Sequence, residues 1–327
     1  MSPGNAPIIS VVICTKDPRM DIFSRMLDSI ETQTIDPALY ELIIVDNNST
    51  KPLDAATLKG NRKIINPIVV REPQQGLSIA RCCGIAKARG ELFVFVDDDN
   101  FLAPDYLEQC LKIFQTEDRI GMFGGIAEVE LEKPIAKWKN VMLPYLGVRN
   151  YGDKPITAFA DHWGEWEPIG AGMAGRREVV LKFVEMFHSL PDAKQLGRSG
   201  KSLLSGEDSL FARAAHRVGY SCSYQPALKL KHFMKKERLK LRYLSKLMEG
   251  HGRSYVLLHR ALGKPTDPLK VRTAVARLGY RVKTVGRAGF LTWFWDLGYA
   301  WEKKNELPEA PPAPNAIDGA KGAGHGV

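Results

Sequence analysis

A continuous apolar run that ends in three adjacent carboxylates places the strongest constraint on this chain. Residues 91–96 read Glu-Leu-Phe-Val-Phe-Val, and Asp97, Asp98 and Asp99 follow directly. Aromatic and β-branched side chains in an unbroken run are typical of a parallel strand covered on both faces. Ligands collect at the carboxyl ends of such strands, and adjacent carboxylates repel one another unless a cation or a donor-rich ligand holds them. The run therefore predicts either a divalent metal with a phosphorylated ligand or, alternatively, a solvated acidic turn.

Strand and helix patterns alternate through the first hundred residues. Apolar runs predict strands at residues 8–14, 40–45, 67–70 and 91–96, and helical spacing predicts helices at residues 22–30 and 78–89. Short connections between such elements favour a mostly parallel sheet with right-handed crossovers, whose strand ends open onto one crevice. Asp46 and the carboxylate triplet each follow one of these strands, so they should meet at the same edge of the sheet.

Beyond the first hundred residues the pattern becomes mixed. A long region rich in Trp, Tyr, Pro and Gly interrupts the regular elements, and loops of that length are usually functional or mobile. The chain ends in a tail rich in Pro, Ala and Gly that we expect to be disordered. The sequence predicts helices at residues 104–114 and 209–218, strands at 122–131 and 221–232, an irregular region at 133–168, one or two amphipathic helices at 239–262 and an aromatic segment at 290–301.

Length and composition indicate a globular chain. Its 327 residues, of which 44% are hydrophobic, suffice for a substantial core in one large domain with appendages or in two small domains. Met1–Ser10 has neither the basic nor the apolar region of a signal peptide, and no segment reaches the ~20 apolar residues of a spanning helix. We therefore expect a cytoplasmic protein. The five cysteines lack zinc-type spacing and are expected to be reduced, mostly buried thiols.

The net charge of +9 is unevenly spread along the chain. Residues 229–253 carry nine Lys and Arg residues against two Glu residues. Such a segment is either a solvated helix face or a surface attracted to a phosphorylated substrate or to acidic lipid headgroups; no nucleic-acid partner is expected. Leucines interleave with these cations. The segment is thus either an interfacial anchor on an anionic membrane or a helix whose apolar stripe packs on the rest of the protein.

Seven short motifs follow one another in order along the chain. They are Thr15-Lys16-Asp17, Asp46-Asn47-Asn48-Ser49, the segment 76–81, Asp97-Asp98-Asp99, the glycine-rich segment 170–177, Gly206-Glu207-Asp208 and His232. Their order and spacing resemble the family 2 inverting glycosyltransferases of the GT-A fold, from about Ile8 to about His232. The resemblance implies an α/β fold with a Rossmann-like, mostly parallel sheet flanked by helices. It implies a glycosyltransferase domain at residues 1–235 and a C-terminal helical extension at 236–305, followed by the tail at 306–327.

The resemblance implies that a nucleoside-diphosphate sugar donor lies across the strand ends. Thr15 and Asp46 would hold the base, although an ordinary Asx turn is the alternative for Asp46. Arg81 could pair with the diphosphate as a bidentate donor, the alternative being an exposed helix arginine. Asp97 and Asp98 would share the ribose side of the donor.

Metal and base assignments follow from the same resemblance. Asp99 is expected to bind Mn²⁺ or Mg²⁺, with His232 as a further ligand or, alternatively, as a structural histidine. The ion would neutralise charge on the departing nucleoside diphosphate. Asp208, in the acidic pair with Glu207, would deprotonate the acceptor hydroxyl. Capping of the following helix is the alternative for Asp208, and the two roles are compatible.

The acceptor side is assigned to glycines and tryptophans. Gly170 and Gly172 belong to the family's glycine-rich floor beside the donor sugar and the acceptor, where glycines permit close approach of the backbone to a ligand. Family members often carry Asn where Gly172 stands, so the resemblance does not say which polar contacts form at that position. Trp163 and Trp166 either stack on acceptor sugar rings or pack in the interior.

These expectations together indicate a metal-dependent inverting glycosyltransferase. It would move a sugar from a nucleoside-diphosphate donor to a hydroxyl of a saccharide or lipid-linked acceptor, in polysaccharide or glycoconjugate biosynthesis. The expected location is cytoplasmic, with peripheral contact on the inner face of the cytoplasmic membrane as an option. The alternatives are a sugar-phosphate nucleotidyltransferase or phosphatase that uses the same carboxylates, and a catalytically silent nucleotide-binding protein.

Overall fold

The apolar runs join into one sheet in the computed structural model, which describes residues 6–63 and 65–305. Side chains of the first strands are almost all buried, because helices cover both faces of the sheet. This two-sided burial explains why the runs are continuously apolar. The strands are β1 (Ile9–Thr15), β2 (Tyr40–Asp46), β3 (Ile68–Arg71), β4 (Leu92–Asp97), β5 (Asn100–Leu102), β6 (Ile120–Leu131), β7 (Ile156–Ala158), β8 (Met173–Arg176) and β9 (Ser221–Met234).

The strands lie in the order β3-β2-β1-β4-β8-β6-β9-β5, and β7 pairs with β9. Strands β3, β2, β1 and β4 are parallel, as expected from the alternating pattern. Beyond β4 the sheet is mixed: β8 is antiparallel to β4 and β6, β6 is parallel to β9, and β5 and β7 are antiparallel to β9. The expected α/β fold is confirmed, and its four consecutive parallel strands all come from the first hundred residues.

Helices form two layers around this sheet. Alternate residues of β1 point to opposite faces, so Val11 and Ile13 contact α1 and α4, whereas Val12 contacts the layer of α3, α5 and α6. The helices are α1 (Met20–Glu31), α2 (Ala55–Lys59), α3 (Leu77–Lys87), α4 (Tyr106–Thr116), α5 (Arg177–Ser189), α6 (Glu207–Arg217), α7 (Leu241–Ala261), α8 (Val271–Val285) and α9 (Arg287–Lys304).

The C-terminal helices pack on the sheet's mixed half. Leu244 and Leu247 of α7 are fully buried with Leu291 of α9 and with Met142 of the region predicted to be irregular. The leucine stripe of residues 239–247 is therefore mainly an interior surface, and the interfacial-anchor interpretation of that segment is wrong. No helix in the described ranges is long and apolar enough to cross a membrane. The predicted tail at 306–327 lies outside the described residues.

Helices α7 and α9 approach each other at two glycines. A Cβ on Gly252 would lie 2.1 Å from the Trp295 carbonyl oxygen, and a Cβ on Gly298 would lie 2.1 Å from the Glu249 carbonyl oxygen. Any larger residue would push the helices apart.

The predicted domain boundary after residue 235 falls in the turn between β9 and α7.

Candidate active site

A cavity of about 830 Å³ opens beside the carboxyl end of β4. Its lining includes the carboxylate triplet, the start of α6 and residues of α7 and α9. The cavity thus joins the first strands of the sheet to the C-terminal helices. Of the predicted site residues, those that line it are Arg81, Asp97, Asp98, Asp99, Trp163, Gly170, Glu207, Asp208 and His232.

The carboxylate triplet is largely buried. Asp98 accepts a 2.5 Å hydrogen bond from the Thr15 hydroxyl at the end of β1. Burial and the neighbouring Asp99 raise the pKa of Asp98 to about 6. Asp97 is the most accessible of the three, with 37% of its side chain exposed. This arrangement excludes the interpretation as a solvated acidic turn.

Asp99 and His232 meet because β5 pairs antiparallel with β9. Asn100 lies opposite His232 in that ladder, and the Phe233 N–H donates to the Asp99 carbonyl oxygen at 2.8 Å. The His232 Nε2 atom consequently lies 3.5 Å from Asp99 Oδ1. Burial and the adjacent Arg238 lower the pKa of His232 to about 3, so its imidazole is neutral and can act as a ligand.

Arg238 contacts both of these side chains. Its Nη1 lies 3.0 Å from His232 Nε2 and 3.4 Å from Asp99 Oδ2. The sequence grouped Arg238 only with the basic segment 229–253. Its position in the chain gives no sign that the side chain turns inward to the carboxylates.

The donor set of Asp99 and His232 fits a divalent ion that is only partly held by protein. No group of three His, Cys, Asp or Glu side chains converges as a complete metal site within residues 6–63 and 65–305. An ion bound by one carboxylate and one imidazole would need further oxygen ligands from phosphates and water. This partial shell is the usual way in which Mg²⁺ is held beside phosphorylated substrates, and Mn²⁺ accepts the same ligands.

Arg81 lies in the interior and not on an exposed helix face. Its guanidinium is 2% exposed and lies 3.7 Å from Asp97 and 3.5 Å from Glu207. A Cβ on Gly170 would lie 2.7 Å from Arg81 Nη2, so the glycine leaves room for the guanidinium. Arg198, to which the sequence assigned no role, lines the same part of the cavity. The structure therefore adds Arg198 and Arg238 to the cations beside the carboxylates.

Glu207 and Asp208 begin α6, and only one of them faces open space. The N-cap of the helix is Gly206, at φ +99°, so Asp208 is not the N-cap residue and lies in the first turn. Burial and the adjacent Asp208 raise the pKa of Glu207 to about 7, against the opposing effect of Arg81. Asp208 is half-buried, lines the cavity and accepts a 2.9 Å hydrogen bond from the Ser209 N–H. Asp208 is thus the accessible carboxylate of the pair.

Thr15 and Asp46 lie at the expected strand ends but do not line the cavity. The oxygens of Asp46 accept hydrogen bonds from the N–H groups of Ser49, at 2.8 Å, and Leu53, at 3.2 Å. Burial alone would raise the pKa of Asp46, but these hydrogen bonds outweigh it and the pKa is lowered. Asp46 therefore stabilises the loop after β2, although its bonds reach Ser49 and Leu53 and not the second residue on, as an ordinary Asx turn would. Binding of the base by Thr15 and Asp46 stays a prediction.

The four residues assigned to the acceptor separate into two groups. Trp163 is 61% exposed and lines the cavity with Gly170. Trp166 instead packs against the core beneath α5 and α6, which is the alternative that the sequence analysis gave for this residue. Gly172, at φ +71°, has a structural role: its carbonyl accepts a 2.5 Å hydrogen bond from the Tyr106 hydroxyl, and a Cβ there would collide with Leu230.

The far wall of the cavity was not predicted as part of the site. Tyr255 of α7 is 44% exposed, and its ring lies edge-on to Trp295 of α9 at 5.7 Å. Both rings line the cavity, together with His259. The helical spacing in residues 239–262 and the aromatic segment at 290–301 predicted these elements but not the face that they present. Only the folded chain brings their aromatic rings into the same cavity as the carboxylates.

Comparison with known proteins agrees with this geometry. The family model described as "Glycosyl transferase family 2" matches residues 10–183, just over half of the chain. The uncharacterised glycosyltransferase YwdF of Bacillus subtilis is 32% identical over 34% of this chain. The succinoglycan biosynthesis protein ExoM of Rhizobium meliloti is 25% identical over 38% of this chain. These alignments span 39% and 40% of the two relatives' own lengths.

A solved structure extends the similarity over nearly the whole chain. The crystal structure of S. aureus TarS 1-349 superposes with a TM-score of 0.51, covering 92% of this chain and 93% of that one. The sequences are 13% identical, so this likeness concerns the fold. It includes the C-terminal helices, which the family model does not reach.

The raised pKa of Glu207 predicts a pH-dependent stability. The folded chain keeps a proton on Glu207 up to about pH 7, whereas the unfolded chain loses it near the ordinary value of 4.5. The free energy of unfolding should therefore fall as the pH rises from about 4.5 to about 7. In Glu207→Gln this fall should be smaller by on the order of 1–3 kcal/mol. Urea unfolding at acidic and at neutral pH measures this slope. Glu165→Gln, at an exposed position, is the control, and a wild-type slope in Glu207→Gln would contradict the assignment.

Proposed function

Since this chain belongs to glycosyl transferase family 2, we propose that it is a metal-dependent inverting glycosyltransferase acting on a nucleoside-diphosphate sugar. The acceptor is a hydroxyl of a saccharide or of a lipid-linked saccharide. The observation that carries the proposal is a single cavity that contains both the Asp99–His232 pair and the accessible carboxylate of Asp208. The name of ExoM, a succinoglycan biosynthesis protein, supports a role in polysaccharide assembly.

Arginines and carboxylates on one wall supply the donor subsite. Arg81 and Arg198 line the cavity beside Asp97, where their guanidinium groups can bind diphosphate oxygens in bidentate fashion. A divalent ion held by Asp99 and His232 would supply Lewis-acid stabilisation of the departing diphosphate. These groups hold and neutralise the donor before any bond changes.

Asp208 is the group placed to act as the base. It takes the proton from the acceptor hydroxyl while the hydroxyl oxygen attacks the anomeric carbon, and the bond from that carbon to the diphosphate oxygen breaks with its electron pair. Attack from the face opposite the leaving group inverts the anomeric configuration. Glu207 is less suited, because its side chain is buried and its carboxylate faces Arg81.

The aromatic wall of the cavity, formed by Trp163, Tyr255 and Trp295, suits an acceptor saccharide. Sugar rings present apolar C–H faces, and aromatic side chains bind such faces with a large contact area. Trp163, Tyr255 and Trp295 all line the cavity, and the first two are substantially exposed. We place the acceptor between this wall and Asp208.

Release of free nucleoside diphosphate only when metal, donor and acceptor are all present tests the proposed reaction. A phosphatase would release inorganic phosphate without acceptor, and a silent binding protein would release nothing.

In Asp208→Asn, turnover should fall by at least ~100-fold with donor affinity unchanged, because the amide cannot accept the hydroxyl proton. Normal turnover of this variant, with loss in Glu207→Gln, would move the base to Glu207.

The aromatic wall generates a separate prediction about substrate affinity. Tyr255→Ala should raise the KM for the acceptor by about tenfold and leave the KM for the donor unchanged, since a stacked ring contributes ~1 kcal/mol or more. Steady-state kinetics with each substrate varied in turn measure the split. Trp301→Ala, at an exposed aromatic of α9 outside the cavity lining, is the matched control. An effect on the donor KM alone would contradict this placement of the acceptor.

We also propose peripheral contact with an anionic membrane, through α8 and not through residues 229–253. Val271, Val275 and Val282 recur on one face of α8 and are 39%, 52% and 42% exposed. Arg272 and Lys283 are exposed beside this stripe. An apolar stripe flanked by cations is the pattern of a helix that lies in the headgroup region, such as the inner face of the cytoplasmic membrane.

Vesicle co-sedimentation tests this contact. Wild-type protein should bind anionic vesicles at low salt and less at high salt, because salt screens the attraction of the cations. Val275→Glu with Val282→Glu should reduce binding by about tenfold or more, since both charges enter the apolar stripe. Leu181→Glu, at an exposed apolar residue of α5, should bind as wild type does. If the α8 variant bound anionic vesicles as strongly as the wild type does, the assignment of the membrane contact to α8 would be contradicted.

A further inference from the structure

The proposed metal site already contains a cation that belongs to the chain. Arg238 lies in a 3₁₀ turn, Lys236–Leu239, between β9 and α7. Its side chain is 13% exposed and reaches both His232 Nε2, at 3.0 Å, and Asp99 Oδ2, at 3.4 Å. A positive charge thus lies against both proposed ligands.

The hydrogen bond between Arg238 and His232 excludes metal coordination by the same nitrogen. A guanidinium has only donors, so His232 Nε2 must be the acceptor at 3.0 Å. An imidazole nitrogen offers one lone pair, and a metal ion would need the same one. Arg238 and an ion can therefore bind His232 only in turn.

Several features permit Arg238 to leave this position. The 3.4 Å contact with Asp99 is long for a charge-assisted hydrogen bond, and the buried Nε of Arg238 has no hydrogen-bond partner among the described residues. Leu239 is buried and anchors the turn, so we expect Arg238 to move by a change of side-chain rotamer and not of the backbone. Both Arg238 and the diphosphate-binding candidates Arg81 and Arg198 line the same cavity.

We propose that Arg238 is an exchangeable internal cation that links donor binding to metal binding. Without donor, its guanidinium holds Asp99 and His232 and competes with a divalent ion. When a nucleoside diphosphate enters, the guanidinium turns to the phosphate oxygens, with which it can form bidentate hydrogen bonds, and frees both ligands for the ion. The inference rests on the proposed use of a metal at Asp99 and His232. By linkage, each of the two ligands should then raise the affinity for the other.

Calorimetric titration with manganese, in the absence of any nucleotide, tests the competition. Arg238→Met keeps the unbranched apolar stem and removes every donor. This variant should bind Mn²⁺ about tenfold more tightly than the wild type does. Arg242→Met, at an exposed arginine of α7, should bind Mn²⁺ as the wild type does. Adding His232→Ala to Arg238→Met should abolish the gain in Mn²⁺ affinity.

The outcomes separate this inference from the metal dependence on which it rests. Equal or weaker Mn²⁺ binding by Arg238→Met, with binding still lost in His232→Ala, would overturn the competition and leave the metal site in place. Absence of Mn²⁺ binding in every variant, with and without UDP or GDP, would overturn both.

A measurement on the unaltered protein avoids any effect of substitution on folding. The ¹⁵N chemical shift of His232 Nε2 reports whether that nitrogen accepts a hydrogen bond. Addition of UDP or GDP without metal should shift this resonance, because Arg238 leaves the imidazole. A bound nucleotide that leaves the resonance unchanged would overturn the exchange.

Discussion

The antiparallel pairing of β5 with β9 is the interaction on which the candidate site depends. Backbone hydrogen bonds set the register of this ladder to a single residue, so Asn100 lies opposite His232 and Asp99 lies beside it. A slip by one residue would turn His232 to the other face of the sheet and separate it from Asp99. The three residues of β5 therefore convert an acidic strand end into a site with both oxygen and nitrogen ligands.

Charge balance around this ladder explains why so many carboxylates can be buried together. Burial raises the pKa values of Asp98, Asp99 and Glu207, which opposes their ionisation. Arg81 offsets that cost by lying between Asp97 and Glu207, and Arg238 offsets it by pairing with Asp99. A nucleoside diphosphate would bring new negative charge to the same arginines, so donor binding would redistribute ion pairs that the folded chain has already formed.

The sequence predicted the parallel half of the fold well, because β1, β2 and β4 are long apolar runs with turn residues at both ends. It missed β5, β7 and β8, since strands this short carry little periodicity of their own and form through their partners. The structure brings Asp99, His232 and Asp208, which the motif order singled out, to one cavity, because strand ends and helix starts fix where such residues lie. It could not identify the inward turn of Arg238 or the packing of Trp166, as both depend on contacts between distant segments.

The central claim is that Asp99 and His232 together hold a divalent ion when a nucleoside diphosphate is bound. Anomalous diffraction from crystals grown with manganese and UDP or GDP tests it most directly, because the manganese signal locates the ion without any assumption about ligands. We predict one strong anomalous peak within coordination distance of Asp99 and His232, with the Arg238 guanidinium turned to the diphosphate. A bound nucleotide with no peak there, and with Arg238 still hydrogen-bonded to His232, would contradict the claim.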